Sequence, residues 1–306
     1  MQAFVFPGQG AQAVGMGRDL AEAYPASRAV FEEVDEALGE KLSEMIWEGP
    51  AEALTLTANA QPALMATSIA ALRALEAEGI AGPDYVAGHS LGEYSALCAA
   101  GSLKLADAAR LLRLRGQAMQ EAVPVGEGAM AALLGLDLAT AEAVAAEAAG
   151  SEVCEAANDN DPGQVVVSGH RGAVERALEI AKARGTRRAV LLPVSAPFHC
   201  ALMQPAAAAM ETALMDVEIS APRVPLVANV TAGPVTDPDE IRRLLVRQVT
   251  GRVRWRESVE WMAGAGVTRI IEVGAGKALS GMIRRIAKTI DTKPAGTAAD
   301  VAALKE

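Results

Sequence analysis

The chain has 306 residues, is 51% hydrophobic and 22% charged, and carries a formal net charge of −10. That composition supports a substantial buried core, arranged as one large α/β domain or as a core carrying a smaller insert. The acidic balance excludes nucleic acid as a natural partner, because phosphate binding needs a basic field.

In chain order, residues 3–6 predict a short buried strand, followed by the loop Pro7-Gly8-Gln9-Gly10. Apolar periodicity predicts helices over 27–38, 61–78, 91–100 and 106–119, with a second short strand at 85–87. Beyond Gly128 the pattern changes to strand 129–134, helix 138–149, strand 153–157, strand 164–168, helix 172–184 and strand 188–193. That β-α-β-β-α-β order is the ferredoxin-like arrangement. It predicts an inserted α+β subdomain over 126–194, within a large α/β domain formed by 1–125 and 195–306. The α/β rhythm then returns with helix 201–215, strand 225–228, helices 238–248 and 255–263, strand 269–273 and helix 278–290. Residues 292–306 read as a loosely held tail, and the acidic run Asn158-Asp159-Asn160-Asp161 reads as a loop near the cleft mouth.

Three widely separated cysteines, Cys98, Cys154 and Cys200, show no C-x-x-C spacing, so neither a disulfide framework nor a zinc site is expected. The segment beginning MQAFVFPGQG has no basic region and no long apolar stretch, unlike a secretion signal. The alanine-rich run over 63–77 is interrupted by Arg73 and Glu76 and falls short of a membrane span. A reduced, cytoplasmic and membrane-free setting is the expectation.

The chemistry centres on Gly88-His89-Ser90-Leu91-Gly92. A serine in G-x-S-x-G between a strand and a helix is the usual form of an activated nucleophile in acyl chemistry. The glycines permit a sharp turn, and the following helix aims its free N–H groups and positive dipole end at any anion formed beside Ser90. Ser90 needs a base, and the chain offers three histidines. His89 adjoins the nucleophile on a tight turn and reads as a packed structural residue. His170 ends a strand of the predicted insert and reads as a satisfied loop histidine. His199 lies in a loop leading from a strand into a helix, which makes it the candidate base by elimination, against the plainer reading of a helix-start histidine. No carboxylate is placed to orient it, and a backbone carbonyl is an alternative third group.

Arg115 falls in the middle of the apolar stripe Ala108, Leu111, Leu112 and Met119 of its helix. Spacing leaves two readings open: an internal salt bridge or snorkelling arginine, or a guanidinium facing the cleft to fork onto a substrate carboxylate. The stretch beginning Gly8-Gln9-Gly10 superficially matches a phosphate-binding turn but lacks the acidic strand end that a dinucleotide site wants. It fits better as an oxyanion donor at a strand end, complementing the N–H of Leu91. No metal-ligand spacing occurs.

The chain resembles the malonyl-CoA:acyl-carrier-protein transacylases over nearly its whole length. The resemblance is carried by Phe6-Pro7-Gly8-Gln9-Gly10-Ala11-Gln12, Gly88-His89-Ser90-Leu91-Gly92-Glu93-Tyr94-Ser95-Ala96, Arg115-Gly116-Gln117-Ala118-Met119-Gln120 and Ala196-Pro197-Phe198-His199-Cys200-Ala201-Leu202-Met203. It extends to Gln248 ahead of Val253-Arg254-Trp255 and to Glu272-Val273-Gly274-Ala275-Gly276-Lys277. It implies a hydrolase-like α/β core with a parallel sheet and a ferredoxin-like insert. It also implies Ser90 as acylated nucleophile, His199 as base, Arg115 on the malonyl carboxylate, the Gln9 and Leu91 amides as oxyanion hole, and Gln248 orienting His199 through its carbonyl. Malonyl-CoA and acyl carrier protein are the implied partners, with no resident cofactor, no metal and a monomeric enzyme. The expected rivals are a serine hydrolase or thioesterase and a catalytically silent carrier-binding module.

Overall fold

Ala3, Phe4, Val5 and Phe6 are all buried, so both faces of their strand are covered, as in a parallel sheet flanked by helices. A computed structural model describes residues 1–194 and 196–305. Among them the strands are β1 (Gln2–Phe6), β2 (Tyr85–Gly88), β3 (Gly128–Leu134), β4 (Cys154–Asp161), β5 (Gln164–His170), β6 (Arg188–Leu191), β7 (Leu226–Ala228), β8 (Gly233–Val235), β9 (Arg269–Val273) and β10 (Asp291–Ala295). The main sheet runs β10-β9-β1-β2-β7-β8. Its neighbours are parallel from β10 to β7, and only β8 is antiparallel.

With few aromatics, this core closes through small residues. The helix Thr57–Ala77 is buried along most of its length, including its polar Thr57, Gln61, Thr67 and Ser68, as befits a helix enclosed by protein. The helix Leu105–Glu121 crosses it where Gly116 meets the backbone of Thr57 and Ala58, and any Cβ at Gly116 would collide there. That close crossing carries Arg115 toward the sheet.

The second sheet, β4-β5-β3-β6, is antiparallel. With helices Leu138–Ala149 and Arg171–Ala183 it forms the expected ferredoxin-like unit. Strand alternation sorts its two faces. Ala131, Leu133, Val165 and Val167 pack under those two helices, whereas Met130 and Val166 join the main core and line the cleft between the sheets.

Two expectations need correction. The tail is not loosely held: β10 pairs with β9 over its full length, and Thr297 and Asp300 form a reciprocal capping box on the helix Ala298–Ala302. Its polar sequence misled because an edge strand tolerates charges and Pro294 where an inner strand would not. The helix ahead of it accordingly ends at Ile286. The Asn158–Asp161 run is not a loop but the end of β4, and all four residues are buried. Arg256 meets Asp159 at 2.8 Å and Arg285 meets Asp161 at 2.7 Å, so partners about a hundred residues away neutralise charges that read locally as solvent-exposed. The helices Arg18–Ala23, Leu42–Glu48 and Ala51–Thr55 are too short to register as periodicity. Among the described residues no helix is long and apolar enough to cross a membrane.

Candidate active site

The carboxyl ends of β1, β2 and β7 converge, as ligand-binding loops do in open α/β sheets. After β2 the chain turns sharply into the helix Gly92–Ala99. A Cβ on Gly88 would overlap the Gly92 carbonyl, and one on Gly92 would overlap the Phe6 oxygen, which explains both glycines of the motif. Ser90 sits at φ 54°, a left-handed conformation that a serine adopts only when its surroundings enforce it. Asn229, just past β7, supplies that enforcement: its Oδ1 accepts from the Ser90 amide at 2.8 Å and its Nδ2 donates to the Gly88 carbonyl at 2.6 Å.

His199 also has a left-handed backbone, at φ 58°, in the segment before the helix Gln204–Met215. Ser195, which opens the predicted loop, lies outside the described residues. The His199 Nε2 is 2.7 Å from Ser90 Oγ, and Nδ1 is 2.8 Å from the backbone oxygen of Gln248. A carbonyl only accepts, so Nδ1 holds the ring proton and Nε2 is left to accept from the hydroxyl. Burial, and secondarily the Arg115 charge, push the imidazole down to about 3. It is therefore neutral and unprotonated at Nε2 near pH 7, the state a general base requires.

Arg115 is 1% exposed and reaches the same point. Its Nη1 donates to Gln61 Oε1 at 2.7 Å, and its Nη2 to Gln248 Oε1 at 2.9 Å and to Ser90 Oγ at 3.3 Å. The guanidinium also stands 5.9 Å from the Tyr94 ring centre, within cation–π range. No ion pair joins Arg115 to a carboxylate among the described residues. Of the two readings left open by spacing, the internal salt bridge is thus absent and the cleft-facing guanidinium is present. A buried cation with neutral hydrogen-bond partners is an open site for an anion.

Gln9, Ser90, Leu91, Arg115 and His199 all line one cleft of about 480 Å³, within the usual range for small-molecule sites. The Gln9 side chain accepts from Thr57 Oγ1 at 2.9 Å, which anchors the loop after β1. The Gln9 and Leu91 backbone amides donate to no other group among the described residues. The remaining two histidines match their structural readings: His89 Nε2 lies 2.8 Å from Asn160 Oδ1, and His170 Nδ1 accepts from the Val153 amide at 2.9 Å.

Reading residues in sequence missed Asn229, Gln61 and any task for Glu93. The position of Asn229 directly after an apolar strand was a usable signal, since strand ends feed the site. A lone glutamate in the apolar run from Leu91 to Ala100 was another, because such a residue is buried only for a reason.

The match to the model of the acyl transferase domain family spans residues 3–303. The chain belongs to the acyl transferase domain family. Within it, the malonyl CoA-acyl carrier protein transacylase of Escherichia coli K12 is 50% identical over 288 residues, covering 94% of this chain and 93% of that protein. Among solved structures, the acyl-carrier-protein-S-malonyltransferase of Bartonella henselae is 58% identical with a TM-score of 0.97, covering 99% of this chain and 98% of that one. A malonyl-transacylase in complex with a type II PKS acyl-carrier protein is 42% identical with a TM-score of 0.97, again over 99% and 98% of the two chains.

Proposed function

We infer that this acyl transferase moves a malonyl group from malonyl-CoA to the pantetheine thiol of an acyl carrier protein, as an S-malonyltransferase serving fatty-acid synthesis. The observation that carries this reading is the buried Arg115 guanidinium, 3.3 Å from the Ser90 hydroxyl and, among the described residues, bonded only to neutral groups. It supports an acyl group bearing a free carboxylate beside its thioester. Ser90 Oγ attacks the thioester carbonyl while His199 Nε2 takes its proton, and the Gln248 carbonyl steadies the imidazolium through Nδ1–H. The Gln9 and Leu91 amides hold the tetrahedral oxyanion. The C–S bond then breaks, the coenzyme A sulfur receives the proton from His199, and malonyl-Ser90 remains. The carrier thiol enters, gives its proton to His199 and attacks the ester, and Ser90 Oγ recovers the proton as it leaves. Donor and acceptor bring all the reacting groups, so the reaction calls for no resident cofactor. All groups come from one chain, so a monomer is a complete catalytic unit. The same reading divides the chain into a catalytic domain, 1–125 with 195–306, and an insert, 126–194, that roofs the cleft.

Intact-mass spectrometry after mixing with malonyl-CoA tests the reading. The expected result is one malonyl adduct on Ser90, absent in S90A, and its transfer to added carrier protein. Steady release of free malonate with no transfer to the carrier identifies a hydrolase instead, and no adduct at all overturns the nucleophile.

A further inference from the structure

Among the described residues two glutamates are wholly buried, Glu272 in β9 and Glu93 in the helix Gly92–Ala99, and they are used differently. Glu272, 0% exposed, accepts the Leu279 amide at 3.0 Å with one oxygen and the Ser280 amide at 2.7 Å with the other. That is a helix cap, with both oxygens engaged by backbone. Glu93, 1% exposed, concentrates its bonds on one oxygen: Oε2 accepts from Gln248 Nε2 at 2.6 Å and from the Asn229 amide at 3.3 Å. Its Oε1 has no partner among the described residues. A carboxyl left half-satisfied in the interior is unfavourable unless its remaining contact matters.

That contact sets the direction of the Gln248 side chain. An amide has one donating and one accepting end, and the two are nearly the same size. Glu93 Oε2 and the Ser90 carbonyl, the latter at 3.0 Å, both claim the Nε2 end. The Oε1 end is thereby turned to Arg115 Nη2 at 2.9 Å. The opposite amide orientation would put N–H₂ against a guanidinium and a carbonyl against a carboxyl, two repulsions at once. Gln61 holds the other arm of the fork at 2.7 Å. The guanidinium plane in front of Ser90 is therefore fixed at both ends, one of them by a chain that runs Glu93, Gln248, Arg115.

We propose that Glu93 is a positioning residue for acyl selectivity: acting through Gln248, it orients Arg115 so that its free N–H groups meet the distal carboxylate of the acyl donor. This rests on the malonyl reading above. The residue touches neither the substrate nor the reacting atoms, so its effect falls on the discrimination between carboxylated and plain acyl groups. Discrimination of this kind depends on a charge pair whose geometry is set in advance.

The test compares kcat/KM for Ser90 loading from malonyl-CoA and acetyl-CoA in wild type, E93L, E93Q and E93D. Leucine removes the acceptor but keeps the bulk, and the malonyl-to-acetyl ratio should fall by about tenfold or more, the range for losing a charge-assisted hydrogen bond. E93Q retains an accepting oxygen and should restore the ratio to within about threefold of wild type. Equal losses for both donors in E93L, or an unchanged ratio, overturns the proposal, because a merely structural role lowers both together. Should E93L fail to fold, E93D decides: it withdraws the carboxylate by one methylene and should lower the ratio severalfold, and an unchanged ratio again overturns the proposal. A wild-type protein with no malonyl preference overturns the functional reading and this inference with it. A wild-type preference that survives E93L overturns this inference alone.

Discussion

Ser90 and His199 both hold positive φ angles, 54° and 58°, and both are pinned by groups from elsewhere in the chain. Asn229 is the pin for Ser90, so N229A should release the strained turn. We expect kcat to fall by about tenfold or more, with the protein still folded, on the scale of losing one or two buried hydrogen bonds; unchanged turnover would show that the turn holds itself. At Arg115 the expectation is selective. R115A should lower malonyl loading relative to acetyl loading by about 10–100-fold, on the scale of one charged hydrogen bond, and a side-by-side loading assay reads the ratio. Glu93 makes a prediction about stability. Burial pushes its carboxyl up from 4.5 to about 7. A folded pKa raised above the unfolded one gives stability that is fully present below the lower value and lost as pH rises through the upper. E93Q removes that titration, so its Tm relative to wild type should climb between about pH 5 and about pH 8. His199 has the opposite sign, its folded pKa being lowered to about 3, but it is common to both proteins and cancels in the difference. A Tm difference independent of pH would show that Glu93 does not titrate in this range.

At the scale of elements, the elbow formed by the Gly88–Gly92 turn between β2 and its helix, and the edge strand β10, behave differently. The motif glycines face backbone rather than side chains: the Gly88 Cβ position is occupied by the Gly92 peptide. Nothing flexible can give way, so G88A should abolish activity together with native stability, read by thermal unfolding. By contrast β10 adds to an edge that is already formed. It nevertheless buries Ala295, and the capped helix after it buries Val301. Removing residues 291–306 would expose the flank of β9, whose Ile270, Ile271 and Val273 are wholly buried. The truncated protein should unfold well below the full chain and aggregate through its bared edge. Retention of the full Tm would mean that the tail is ornamental after all.

For the whole molecule, the relation of the insert to the main domain decides whether there is a cleft. β4 bridges the two bodies: its Asp159 amide donates to Val253 at 2.9 Å, and the Val253 amide donates to Ala157 at 2.9 Å. Arg256 and Arg285 bind its carboxylates from helices of the main domain. Asp159 is 1% exposed, and its carboxyl is held above the ordinary range because burial outweighs the arginine. R256A would strand that group. Stability should fall by about 1–3 kcal/mol, the cost of an unsatisfied buried group, and denaturant unfolding measures it.

Much of this molecule was legible in its residues, for identifiable reasons. The elbow, the α/β alternation and the ferredoxin-like insert are local patterns, since strand and helix periods and glycine sterics act over a few neighbours. Ser90 stood out as candidate nucleophile through such a pattern and His199 as candidate base through having only two competitors, and the fold brings the two within 2.7 Å. Tertiary structure decided what depends on partners far apart in the chain. Whether Arg115 turned to a carboxylate or to the cleft depended on Gln61 and Gln248, which are 54 and 133 residues away. The acidic end of β4 became buried strand because two distant arginines neutralise it, and the polar tail became an edge strand because β9 offered unpaired backbone. Periodicity reports which face of an element is apolar. What meets a buried charge is a property of the packed fold, because only there are distant groups brought into a medium that no longer screens them.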